Sequence, residues 1–186
     1  MGAELLSEAL TSTGEVLAGV SDADLEGATP CASWHVRELI NHIVGGQGFF
    51  ATVAATGEPP SGGSAGEAPD FSAGDFKAAF AEESARCLSA FEEDGAMERI
   101  MKLPFGEMPG SAFVNIATSD TFTHGWDLAK ATGQSTDLNP ELAAQLLTFA
   151  QEFLLDAFRG PEGQAPFGPK VDAPAGATNS TQTPRQ

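Results

Sequence analysis

The sequence predicts an all-α fold, a helical bundle with a short extended or hairpin excursion near residues 97–108. Two observations carry this. Long segments place apolar residues at three- and four-residue spacings, and Ser, Asn, Gly and Pro punctuate their ends. The one stretch that alternates weakly, Met97 to Met108, is interrupted by Pro104 and Gly106 and reads as a strand pair or extended segment.

The first helix spans about Ala3 to Val20, with Leu5, Leu6, Leu10, Val16, Leu17 and Val20 on one face. After the loop Ala28-Thr29-Pro30-Cys31-Ala32, Ser33 is expected to cap a second helix from Trp34 to about Thr56, stopped by Gly57 and Pro59-Pro60. Residues 61–69 are rich in Gly, Ser and Ala. They lack the Gly-Lys-Ser/Thr ending of a phosphate cradle and read as a linker. A third helix, about Asp75 to Glu93, turns Phe76, Phe80, Cys87, Leu88 and Phe91 inward and leaves Glu82-Glu83 and Glu92-Glu93 to solvent. A fourth runs from near Ser111 to Gly133. A fifth starts with Asn139 as N-cap and Pro140 in its first position, and continues toward Gly160-Pro161. Residues 1–163 are thus expected to form the bundle, and 164–186 a tail rich in Pro, Gly and Thr that wraps the surface or stays partly disordered.

Composition narrows the function. The 186 residues fit one domain, and a mean hydropathy of −0.10 with no apolar run near the ~20 residues of a membrane span argues against a membrane protein. The first residues lack a basic start and an apolar stretch, so a cytoplasmic location is expected. A formal net charge of −17 would repel a phosphate backbone, which disfavours nucleic acid and anionic membrane as partners. Two cysteines are too few for a disulfide framework, and Cys31 and Cys87 are both read as small buried side chains. With no tyrosine in the chain, a proton donor must be a His, an acid, a Lys, a thiol or a metal-bound water.

The residues that suggest chemistry lie on the second and fourth helices. Asp120 and His124 are four apart, so they share a helix face with Cβ atoms about 5 to 6 Å apart. Their stripe also holds Phe113, Ala117 and Leu128, which turns both polar groups toward the core. A carboxylate there is costly unless paired, hydrogen-bonded or bound to metal. His42 shares a stripe with Leu39, Gly46, Phe49 and Val53, and Gly46 leaves room one turn away. Facing helices of a bundle build metal sites in this manner. Spacing alone leaves two other readings open: a hydrogen-bonded core His, and a simple Asp120–His124 ion pair. His35 lies on the His42 face, but two helical turns, about 10.5 Å, separate them. It is read as lining a pocket or lying on the surface.

The run from Thr29 to Gly46, TPCASWHVRELINHIVGG, and the run from Asp120 to Gln134, DTFTHGWDLAKATGQ, closely resemble the signatures of the actinobacterial mycothiol-dependent maleylpyruvate isomerase-like proteins of the DinB superfamily. Leu103-Pro104-Phe105-Gly106 and Phe167-Gly168-Pro169 extend the resemblance over most of the chain. It implies a DinB-like four-helix bundle holding a divalent metal, zinc or nickel, with His42, Asp120 and His124 as ligands. The best-known relatives have Glu where this chain has Asp120, one methylene shorter, so the ion is expected nearer the fourth helix or more weakly held. Trp126, like Trp34, belongs to the matching motifs and reads most simply as a large core residue. Asp127 can orient the His124 ring, or act as a cap or surface ion-pair partner.

Two imidazoles and one carboxylate leave a coordination position open, as in catalytic zinc sites. The resemblance therefore implies a metal-dependent thiol transferase or thiol-dependent isomerase, with mycothiol or another low-molecular-weight thiol as cosubstrate and an electrophile as substrate. The family's isomerase also carries an arginine-bearing C-terminal domain that this sequence does not match, which favours a second reading, a non-catalytic metal- or ligand-binding module. Hydrolysis by an activated water and non-haem iron chemistry use similar ligand sets and rank lower.

Overall fold

A computed structural model of the chain describes residues 2–31, 33–60, 69–153 and 159–160. Five helices and one hairpin occur among them: α1 (Ala3–Ala18), α2 (Val36–Thr56), α3 (Phe76–Glu92), β1 (Ile100–Leu103), β2 (Gly106–Pro109), α4 (Gly110–Ala131) and α5 (Pro140–Phe153). The expected 61–69 linker falls outside them except at Pro69. So do residues 154–158 of the expected fifth helix and the whole 164–186 tail, while Arg159 and Gly160, near that helix's expected end, are described and are not helical.

The bundle is a square in which α2 packs on α3, α3 on α1, α1 on α4 and α4 on α2, while α5 lies against α1. The apolar faces read from the sequence meet inside it. Leu6, Leu17, Leu39, Ile40, Ile43, Phe91, Phe113 and Leu128 are almost wholly buried, each such side chain contributing roughly 1.5–3 kcal/mol. Leu5 instead contacts a smaller cluster around Phe122, Leu142 and Leu146, which seats α5. The Asn139 carboxamide oxygen accepts from the Leu142 amide at 3.0 Å, so Asn139 caps α5 as its residue type foretold.

The hairpin of β1 and β2 is antiparallel, with Met101 opposite Met108. It docks on the end of α2. Gly57, in the left-handed conformation at φ 79°, terminates that helix, and its carbonyl accepts from the Lys102 amide at 2.7 Å. Met101 then fills the core. A second glycine fixes the α1–α4 distance: a Cβ on Gly125 would stand 2.3 Å from Oγ1 of Thr13. That close approach lets Thr13 donate to the Thr121 carbonyl at 3.0 Å, and Gln47 of α2 donates to the Thr121 hydroxyl at 3.0 Å. Three helices are thereby cross-braced beside Asp120.

The start of α2 differs from the expectation. The helix begins at Val36, and His35, not Ser33, occupies the N-cap, its amide donating to Glu38 Oε2 at 2.9 Å. Trp34 is outside the helix. The amides of Val36 and Arg37, which have no partner within α2, donate to the carbonyls of Gly27 and Leu25. This anchoring to the preceding loop overrides the stronger intrinsic N-cap preference of Ser33.

Candidate metal centre

His42 on α2 and Asp120 and His124 on α4 converge. One nitrogen of each imidazole and one carboxylate oxygen lie within 4.8 Å of one another. Oδ1 of Asp120 stands 3.6 Å from Nε2 of His42 and 3.7 Å from Nε2 of His124. Both are longer than an N–H···O bond of about 2.7–3.2 Å. They approach the donor–donor edge of a zinc tetrahedron, about 3.3 Å for ligands bound at 2.0 Å. Nε2 of His42 is buried and has no hydrogen-bond partner among the described residues. The residues present therefore fit a divalent cation: two nitrogens and an oxygen aimed at one point, with an orphaned buried nitrogen among them.

Burial is uneven across the cluster. The His124 side chain is 1% exposed, Asp120 14% and His42 35%, so solvent reaches the His42 ring although its Nε2 is buried. Burial by itself favours neutral His124. The Asp120 carboxylate outweighs it, helped by Asp127 and by a Cys31 hydrogen bond, and the imidazole's pKa is raised to about 10. Such an environment calls for positive charge on the ring or beside it.

The outer shell is where sequence reasoning and structure part. Asp127 is completely buried, which removes the surface ion-pair reading; its Oδ2 lies 3.5 Å from Nδ1 of His124. Cys31 is only half-buried, and its thiol donates to the same carboxylate oxygen at 3.7 Å. Cys87 is buried as expected, its thiol pushed up to about 12 by burial. The aromatic wall is Trp34, whose ring centroid is 4.7 Å from that of His42 and 5.8 Å from that of His124. Trp126 is buried in the bundle with Lys130 over its ring. His35 is exposed and pairs with Glu38; its N-cap duty, not pocket lining, accounts for it. Gly46 lies beside the site, yet a Cβ there would meet Asp120 Oδ2 at an ordinary 3.8 Å, so it leaves space for a methyl and no strict need for glycine.

Thr29 organises the loop that brings Cys31 and Trp34 in. Its hydroxyl donates to the carbonyls of Cys31 and Trp34 and accepts from the Cys31 amide. A Thr beside Pro-Cys just before a helix was the available signal for this turn, but no periodicity marks where the loop folds back.

Fold and cluster define a helical bundle with a His–Asp–His constellation between two facing helices. The chain belongs to the mycothiol maleylpyruvate isomerase N-terminal domain family, which matches residues 6–129. Uncharacterized proteins from two strains of Mycobacterium tuberculosis are each 42% identical over 147 residues, covering 78% of this chain and 75% of theirs. The crystal structure of the mycothiol-dependent maleylpyruvate isomerase superposes with a TM-score of 0.62 at 18% identity, and that of a histidine-to-alanine variant of it with 0.60. These matches cover 78% of this chain, which spans 65% of the isomerase chains. At that identity the likeness carries the fold alone, a helical bundle. No described helix is long and apolar enough to cross a membrane.

Proposed function

We propose that the chain binds one divalent cation, zinc by its donor set with nickel as the alternative, through His42, Asp120 and His124, and uses it to activate a low-molecular-weight thiol. Mycothiol is the thiol suggested by the family, and S-transfer to, or isomerisation of, an electrophilic small molecule is the reaction. The convergence of three donor atoms within 4.8 Å, one of them a buried nitrogen with no hydrogen-bond partner among the described residues, is the observation that carries this reading. When bound, the cation supplies the Lewis acidity that deprotonates a coordinated thiol.

The chain's own residues do the rest. Asp120 supplies the negative charge that two neutral imidazoles lack. Oδ2 of Asp127, 3.5 Å from Nδ1 of His124, faces that nitrogen and orients the ring so that Nε2 is left for the cation. Trp34 covers the imidazole faces and limits access of water from that side. The acidic surface fits a cytoplasmic protein with small-molecule partners and no nucleic acid.

Metal analysis of the purified chain, with calorimetric titration of mycothiol before and after chelation, tests the reading. Stoichiometric metal and thiol binding that disappear together in His42→Ala are expected. Thiol binding that survives complete metal removal would overturn it. A second reading is a non-catalytic module whose ion mainly fixes the bundle. It predicts a large loss of melting temperature on chelation with no thiol binding in either state.

A further inference from the structure

We propose that Cys31, Asp127 and the second ring nitrogen of His124 form a further cation site, suited to thiophilic divalent ions, on the opposite edge of the shared imidazole. Donor atoms of these three side chains also lie within 4.8 Å of one another. Oδ2 of Asp127 stands 3.7 Å from Sγ of Cys31 and 3.5 Å from Nδ1 of His124. An Nδ1–H···O bond would be shorter by several tenths of an ångström. A zinc tetrahedron with Zn–S of about 2.3 Å and Zn–N or Zn–O of about 2.0 Å has edges of about 3.3 to 3.5 Å. The spacing thus resembles that of the His42 and Asp120 cluster: the Nδ1–Oδ2 contact has the length of a coordination-shell edge, and the Sγ–Oδ2 contact is near one while serving as a thiol hydrogen bond.

An independent observation comes from Asp127 itself. Its side chain has no solvent exposure, and Oδ1 has no hydrogen-bond partner among the described residues. Its other oxygen has a thiol, which is a weak donor, and the long contact to His124. Among the described residues, His124 is its sole ion-pair partner. A carboxylate in that position costs several kcal/mol unless a positive charge is brought to it. A cation between Sγ, Oδ2 and Nδ1 would put positive charge in direct contact with that carboxylate, in place of a weakly donating thiol proton and a distant ring proton.

The donor set decides the ligand. Thiolate, imidazole and carboxylate together favour zinc or cadmium over magnesium or calcium, which take all-oxygen shells. Entry of the ion displaces two protons to solvent, one from the Cys31 thiol and one from Nδ1 of His124, so the net charge of the cluster is unchanged. His124 then bridges two ions as an imidazolate, and Asp127 passes from orienting the ring to ligating the second ion. Cys31, half-buried in its loop, is the side from which that ion enters.

The inference shares His124 with the reading above, but the remaining ligands of the two sites are distinct, so each can fail alone. Full-length protein is titrated with cadmium while the ultraviolet thiolate-to-cadmium charge-transfer band is followed, and bound cadmium is counted after gel filtration. Two ions per wild-type chain are expected, with the band tied to one of them. Cys31→Ser should lose the band and one ion; His42→Ala should lose the other ion and keep the band. Asp127→Asn, which preserves shape, should shift the band's half-saturation to higher cadmium. Cadmium bound without a band, or a band that persists in Cys31→Ser and so originates at Cys87, would overturn the proposal. One ion lost in His42→Ala with no band in the wild type would overturn it while leaving the first site standing.

Discussion

Nδ1 of His124 lies 3.5 Å from Oδ2 of Asp127, and both side chains are shut away from solvent. A ligand ring that donates its far N–H to a fixed carboxylate is held in one tautomer and made more basic. Removing such a partner typically costs about 10- to 100-fold in metal affinity. Asp127→Asn should therefore weaken cation binding at the His42–Asp120–His124 cluster by about that factor, measured by competition with a chelator. An unchanged affinity would mean that packing alone orients the ring.

The same pair sets a pH dependence. In the metal-free fold, burial pulls the His124 pKa down, but the Asp120 carboxylate, then Asp127 and Cys31, prevail and raise it from 6.5 to about 10. A group whose folded pKa exceeds its unfolded value stabilises the fold while it is protonated in both states. The stabilisation is fully present below about pH 6.5 and lost as pH rises toward about 10. Urea unfolding in the presence of chelator should show stability falling across that window. Saturating zinc should flatten the dependence, because the bound ion replaces the proton. The Cys87 thiol, raised to about 12, adds a loss in the same direction only above about pH 9. A metal-free protein equally stable at pH 6.5 and 9 would contradict the electrostatic account of His124.

Gly46 offers a steric test that leaves every ligand in place. A Cβ there meets Asp120 Oδ2 and the Phe50 ring at 3.8 Å, ordinary contact. Gly46→Ala should keep metal affinity, and it should stabilise α2 by up to about 1 kcal/mol through helix propensity. Gly46→Leu should project into the space between Asp120 and His42 and reduce metal binding sharply while the circular dichroism stays helical. Equal affinity in both variants would place the ion away from the α2 side of Asp120.

These tests rest on residues that the sequence revealed to different degrees. Asp120 and His124 were legible because a four-residue spacing on a helix is a local, periodic fact, and His42 because its stripe is apolar. Helix existence was legible for the same reason. The N-terminus of α2 was not: Ser33 has the right residue type, but the cap is His35, chosen by the carbonyls of Leu25 and Gly27, which a linear pattern does not display. Cys31 and Trp34 were missed as parts of the site because both sit in the loop that Thr29 folds back over the bundle, and such long-range packing has no period. The sequence leaves Asp127 between orienting, capping and surface roles. Its complete burial, a property of α4 packed on its neighbours, removes the surface one.

The two tryptophans separate by environment, and this gives an optical test of where the site is. The Trp34 ring lies tilted against His42 with centroids 4.7 Å apart, whereas Trp126 is buried with Lys130 over its ring at 5.1 Å. A paramagnetic ion such as cobalt, bound between His42 and His124, would quench the nearer indole more strongly. Cobalt should therefore quench the fluorescence of Trp126→Phe, which retains Trp34, with a saturable, stoichiometric curve. In Trp34→Phe the remaining signal should respond far less, although metal affinity should change by no more than the roughly 0.5–1.5 kcal/mol of a lost aromatic contact. If Trp126 proves the more strongly quenched, the ion is not held on the α2 side of His124. The His42–Asp120–His124 assignment would then have to give way to the Cys31–Asp127 edge of the same ring.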